Sequence, residues 1–136
     1  MNFWLIKSEP DAFSLADFIA DKTTVWNGVR NYTARNYLKT MQLGDMCLFY
    51  RSVAKPAVVA TCKVIKEFYQ DPTTDLTAWV AVDVALVDIF PQEVPLSLIK
   101  QTPELQNMLL LKMSRLSVQP VTTAEWEVIQ RLSTEL

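Results

Sequence analysis

Histidine is absent from this chain. Its absence removes the commonest metal ligand, the commonest general base and every Ser-His or Cys-His nucleophile arrangement. Cysteine is nearly absent too, and Cys47 and Cys62 alone cannot complete a tetrahedral zinc shell. The two lie in apolar, strand-like runs with no secretory leader ahead of them, so buried reduced thiols are expected and not a disulfide. No metal and no cofactor is expected. No apolar run approaches the roughly 18 to 20 residues of a membrane span, and the opening MNFWLIKSEP lacks the pattern of a signal peptide. A soluble cytoplasmic protein, not membrane-bound and by default a monomer, is the expectation. Nor does any motif pair two carboxylates at a spacing useful for acid–base chemistry.

What is present fits one domain spanning residues 1–136, half of them hydrophobic, which is enough to bury a core. The formal net charge of −2 is unevenly spread. Residues 22 to 66 hold eight bases against one acid, Asp45, and the rest of the chain holds five bases against fourteen acids. A modest average thus conceals a positive stretch of the kind a polyanion requires.

Trp26 to Lys39, WNGVRNYTARNYLK, concentrates that charge. It carries one tryptophan, two tyrosines, three asparagines, Arg30, Arg35 and Lys39, and no acid. Aromatic faces stack on flat heterocycles, Asn amides read base edges, and Arg or Lys neutralises phosphate. Gly28 lets the backbone turn sharply just after the tryptophan. Composition alone admits equally a surface helix with a solvated basic face.

Residues 2 to 7 read as a strand ended by Pro10. Ser14 caps a short helix, with Asp17 three residues on and Phe13 packing on Phe18; Leu15, Phe18 and Ile19 share its inner face. Thr24 to Trp26 are extended. A second helix starts at Asn31 or Thr33, buries Ala34, Leu38 and Met41, and stops at Gly44-Asp45, where Asp45 serves the turn. Strands follow at 46–52, 58–68 and 79–90, the last burying Val80, Val82, Val84, Leu86 and Phe90 on one face. Asp71 to Asp75 form a loop, and Pro91 and Pro95 bracket a turn. Residues 96–100 and 103–110 read as short helices, and 116–119 as a strand closed by Pro120. Thr122 caps the last helix with Glu125, with Val121 packing on Trp126 and an inner face of Trp126, Ile129 and Leu132 or Ser133. Trp4, Trp79 and Trp126 are assigned to the core. This order indicates an α+β domain with an antiparallel, barrel-like sheet and peripheral helices.

Four separated motifs then resemble a known family: Trp4 to Pro10, Trp26 to Asn36, Gly44-Asp45 leading to Phe49-Tyr50-Arg51-Ser52, and Arg115 to Val121. In order and spacing they are similar to the EVE domain. The resemblance implies a PUA-like fold, a mostly antiparallel β-barrel with peripheral helices related to the YTH domains. It implies a non-enzymatic reader of a modified base in nucleic acid, with modified cytosine in DNA favoured and RNA also proposed, the base being flipped into an aromatic pocket. By position, Trp26 corresponds to the pocket tryptophan and Lys7 and Ser8 to the strand end lining it. Tyr50, Arg30 and Asn31 fall in motifs around the same cavity, as does Ser117. Arg35, Lys39 and Arg51 are the phosphate candidates. Arg51, Asn27, Ala57 and Ala60 depart from the family pattern, where His, an acid and glycines are common. The rival classes are a base-acting enzyme, glycosylase-like, and a protein-interaction module. The first would need a carboxylate or metal-activated water, and the second an exposed apolar patch.

Overall fold

A computed structural model describes residues 1–135. The elements run β1 (Phe3–Ser8), α1 (Leu15–Asp21), β2 (Thr23–Trp26), α2 (Tyr32–Thr40), β3 (Met46–Arg51), β4 (Ala57–Gln70), β5 (Val80–Pro95) and α3 (Leu96–Gln101). A 3₁₀ turn at Pro103–Leu105, α4 (Leu109–Lys112), β6 (Val118–Val121) and α5 (Thr123–Leu132) complete the chain. Among the described residues no helix is long and apolar enough to cross a membrane.

The six strands form one sheet in the order β2-β5-β4-β3-β1-β6. Every neighbouring pair is antiparallel except β1 and β3, which run parallel. In a flat sheet β2 and β3, three steps apart, would be separated by roughly 14 Å. Yet the Trp26 ring on β2 meets the Phe49 ring on β3 edge-on at 5.9 Å. The sheet is therefore rolled towards a barrel, as expected, but β2 and β6 are not hydrogen-bonded to each other, and a seam stays open between them.

Strand alternation splits the apolar residues into two cores. Trp4, Ile6, Cys47, Phe49, Cys62 and Val82 face one side with Phe18 of α1 and Leu38 of α2. Leu5, Leu48, Tyr50, Val58 and Val94 face the other with Ile99, Leu105, Leu110 and Ile129. The period of two along a strand dictates this division. Cys47 and Cys62 pair directly across β3 and β4 as free buried thiols, and burial pushes the Cys62 thiol up.

Both predicted capping boxes form, at Ser14 with Asp17 and at Thr122 with Glu125. Phe13 packs on Phe18 at 5.4 Å, but Ile19 is exposed, because the seven-residue helix covers too little surface to bury two adjacent positions. Asp45 is buried and accepts the amides of Asn2 and Gln42 and the indole N–H of Trp4, so it serves the turn.

Other boundaries moved. Pro91 does not end β5, which continues to Pro95. The pairing jumps from Ala60–Ile89 to Val58–Val94, and Pro91 sits in the resulting bulge, where no ladder N–H is needed. A separate, earlier bulge, where Cys62–Leu86 is followed by Thr61–Asp88, puts an extra residue into β5 and turns Phe90 to the second core, away from Val80, Val82 and Val84. The single helix read over 103–110 is two short turns. Pro120 lies within β6, an edge strand that tolerates it. Trp79 and Trp126 are only half-buried; Trp126 stacks on Phe3 at 4.5 Å, and Trp79 lies beneath Tyr32.

Candidate nucleic-acid interface

A cleft of about 440 Å³ opens at the seam, within the range of roughly 300–1,000 Å³ usual for small-molecule sites. β1 contributes Lys7 and Ser8, the segment before β6 contributes Ser117, and β2 with the following turn contributes Thr24 to Arg30. Because β2 is an edge strand, the peptide groups on its outer side have no strand partner, and that edge borders the cleft.

Trp26 is one wall. It is 8% exposed and held by the edges of Phe13 and Phe49, so a ligand meets a rigid indole fixed in the core. Lys7 is half-buried, and that burial lowers its pKa; its ammonium donates to the Ser114 carbonyl at 2.7 Å and lies 5.8 Å from the Tyr50 ring. Ser8 has a more local task than expected. Its hydroxyl donates to the Phe13 carbonyl at 2.6 Å, and its carbonyl accepts from Ser52. Glu9 is the single carboxylate in the lining.

The turn after Trp26 is fastened from outside the cleft. Asp71, whose side chain is fully buried, accepts the Gly28 amide at 2.8 Å, Arg30 Nη1 at 3.0 Å, and the amide and hydroxyl of Thr73. Burial pushes this carboxyl up, but the four donors outweigh it and hold it well below the usual carboxylate range. Arg30 also reaches Thr73 and covers the Trp79 ring at 5.6 Å. Arg30 thus builds the wall as well as lining it.

Of the expected site residues, the structure brings Trp26, Lys7, Ser8, Arg30 and Ser117 together in the cleft. It does not bring Tyr50 or Asn31. Alternation along β3 turns Tyr50 into the second core, 3% exposed, and burial raises its pKa. Asn31 is the N-cap of α2, its side chain accepting the Ala34 amide at 2.9 Å. Arg35 stacks over Tyr32 and donates to the Ala78 carbonyl, and Lys39 covers Phe68, both along the outer stripe of α2. Arg51 makes a bidentate pair with Glu93, at 2.8 and 2.7 Å, and clasps the Lys55 carbonyl. That pairing raises the Arg51 pKa and lowers that of Glu93. Of the four family departures, only Asn27 touches the cleft; Ala57 and Ala60 are buried in the sheet.

Two groups escaped the sequence reading. Asn27 lines the cleft as an exposed side-chain amide, and its place between Trp26 and Gly28 was the available signal. Asp71 carried no signal of a link to the cleft, since Gly28 and Arg30, the partners that tie it there, lie 43 and 41 residues away.

The family model for the EVE domain matches residues 2–132. The chain belongs to the EVE domain family. Chicken thymocyte nuclear protein 1 is 37% identical over 97% of this chain and 69% of its own length. A Pseudomonas syringae protein of solved structure is 40% identical, with a TM-score of 0.91 over 96% of this chain and 99% of its own. Human THYN1 protein, solved in complex with DNA containing 5-methylcytosine, is 33% identical with a TM-score of 0.92, covering 100% of this chain and 99% of that one. A yeast YTH domain at 13% identity and a TM-score of 0.64 shares the fold, as the EVE resemblance implied.

Proposed function

We propose that this EVE domain reads a modified base in nucleic acid, 5-methylcytosine in DNA being the favoured ligand, by receiving the flipped base in the seam cleft without transforming it. One observation carries the reading. This chain keeps an open cleft against Trp26, and a relative aligned along its whole length was solved with 5-methylcytosine-containing DNA.

The magnitudes decide which contacts matter. Extruding a base costs a few kcal/mol, and an aromatic stack returns roughly 1–3 kcal/mol. Trp26 offers only a narrow exposed strip, so polar contacts must supply much of the remainder. Asn27, Thr24, Ser117 and the free edge of β2 face the base edge, with Lys7 beside them. The apolar side chains that line the cleft beside Trp26, Phe13 and Val29 among them, offer the methyl group its apolar surroundings. Burying one such carbon is worth about 0.8 kcal/mol, roughly a fourfold preference over cytosine. Glu9 is the one carboxylate of the lining that a base-acting enzyme could use; binding is preferred here because a relative was solved holding DNA that contains 5-methylcytosine.

A competition panel tests this. Oligonucleotides carrying cytosine, 5-methylcytosine and N6-methyladenine, in DNA and RNA, compete for the full chain against a labelled 5-methylcytosine duplex. A preference for the methylated cytosine DNA supports the reading; indifference to every modification overturns it.

A further inference from the structure

Beside the cleft lies a second hollow of about 400 Å³, with Asn31 and Thr33 on one wall and Lys112, Ser114 and Arg115 on the other. The partition between the two is thin. Lys7 lines the cleft, Ser114 lines the hollow, and the two are hydrogen-bonded at 2.7 Å. Arg30 and Asn31 are consecutive residues, one on each side. The hollow is therefore within reach of a phosphodiester adjoining a base held in the cleft.

The hollow is built for negative charge. One wall belongs to Trp26–Lys39, which contains no acid. The other belongs to residues 105–124, which contain Lys112 and Arg115 and no acid, although the chain outside residues 22 to 66 is acid-rich. Both cations are exposed, and among the described residues neither pairs with a carboxylate. Arg30, Arg51 and Arg131 do pair with carboxylates. Charge left unpaired at the rim of a concavity is positioned for an anion from outside.

We infer that this hollow is a phosphodiester subsite, in which Lys112 and Arg115 hold the backbone next to the nucleotide whose base enters the cleft. The inference rests on the base-reading role above, and it assigns the phosphate contacts to the segment before β6 in place of Arg51.

The test is a salt titration of the full chain against 5-methylcytosine and cytosine DNA duplexes, comparing the parent with a Lys112→Gln, Arg115→Gln double variant. Each phosphate contact contributes about 0.9 to the slope of log affinity against log salt on duplex DNA. The double variant should lose about 1.8 from that slope and weaken both duplexes alike, leaving their affinity ratio unchanged. A slope equal to the parent's overturns the subsite. So does a collapse of the ratio at unchanged slope, which would place these residues at the base. If the parent shows no preference between duplexes and the slope still drops, the subsite stands and base reading fails. If the parent binds neither duplex at any salt concentration, both fall. Unchanged melting temperatures confirm that the variant is folded.

Discussion

The Asp71 carboxylate accepts the Gly28 amide at 2.8 Å across 43 residues of chain, and this one bond fixes the turn on which the cleft ends. Gly28 has φ +78°, in the left-handed region, so the turn bends as only glycine readily allows, and a buried anion holds it there.

Removing that anion should be costly. Asp71→Ala strips the acceptor from four donors and should lower stability by about 3 kcal/mol, towards the low end for a broken buried pair because Arg30 is partly exposed. Asp71→Asn has a distinct pH signature. A depressed folded pKa gives stability that is present above the unfolded value near 3.8 and is lost as pH falls below it. Urea denaturation of parent and Asp71→Asn should differ most above pH 5 and converge towards pH 2.

Trp26→Ala is a poor probe of the site. With the indole 8% exposed and packed on Phe13 and Phe49, truncation should cost about 3–5 kcal/mol and confound binding with folding. Trp26→Phe retains most of the packing and should weaken 5-methylcytosine DNA binding severalfold with a smaller loss of stability. Equal affinity for Trp26→Phe and parent, by fluorescence anisotropy, would remove the indole from the interface.

Asn27→Ala is the cleaner test of edge reading. The side chain is exposed, so melting temperature should hold within about 2 °C, a surface change costing under about 0.5 kcal/mol. A lost base-edge contact of about 1–3 kcal/mol should lower affinity at least fivefold. Competition binding that shows no change rules Asn27 out as a reader.

The loop joining β3 and β4 is strained. Val53, Ala54 and Lys55 all have positive φ, at 61°, 35° and 58°, and Val53 is exposed, so its side chain has little packing to lose. Left-handed backbone costs a non-glycine residue roughly 1–2 kcal/mol, and β-branching makes Val53 the most unfavourable of the three. Val53→Gly should raise stability by about 1 kcal/mol after the entropic cost of glycine, with no effect on DNA binding. A fall in the urea midpoint would contradict this.

Much of the fold was legible because its signals are local. The capping boxes at Ser14 and Thr122 and the core face Ala34, Leu38, Met41 depend on residues a few positions apart. The misread elements share a cause in tertiary context. Pro91 and Pro120 look like breaks until a bulge and an edge strand give each a place. Tyr50 looked like a pocket residue because it sits in a motif, but one step along β3 separates it from Phe49 and sends it to the opposite core. The cleft was half-visible. Lys7, Ser8, Trp26, Arg30 and Ser117 come from distant motifs and meet there, whereas Asp71, which orders the turn, and Lys112, beside the second hollow, belong to none of those motifs.

Because β2 and β6 have four residues each and never zip together, the barrel keeps a permanent doorway. No lid has to lift and no strand has to peel away before a ligand enters. Arrival should accordingly be paced by collision, by the charge around the threshold and by extrusion of the base, and not by an opening of the protein.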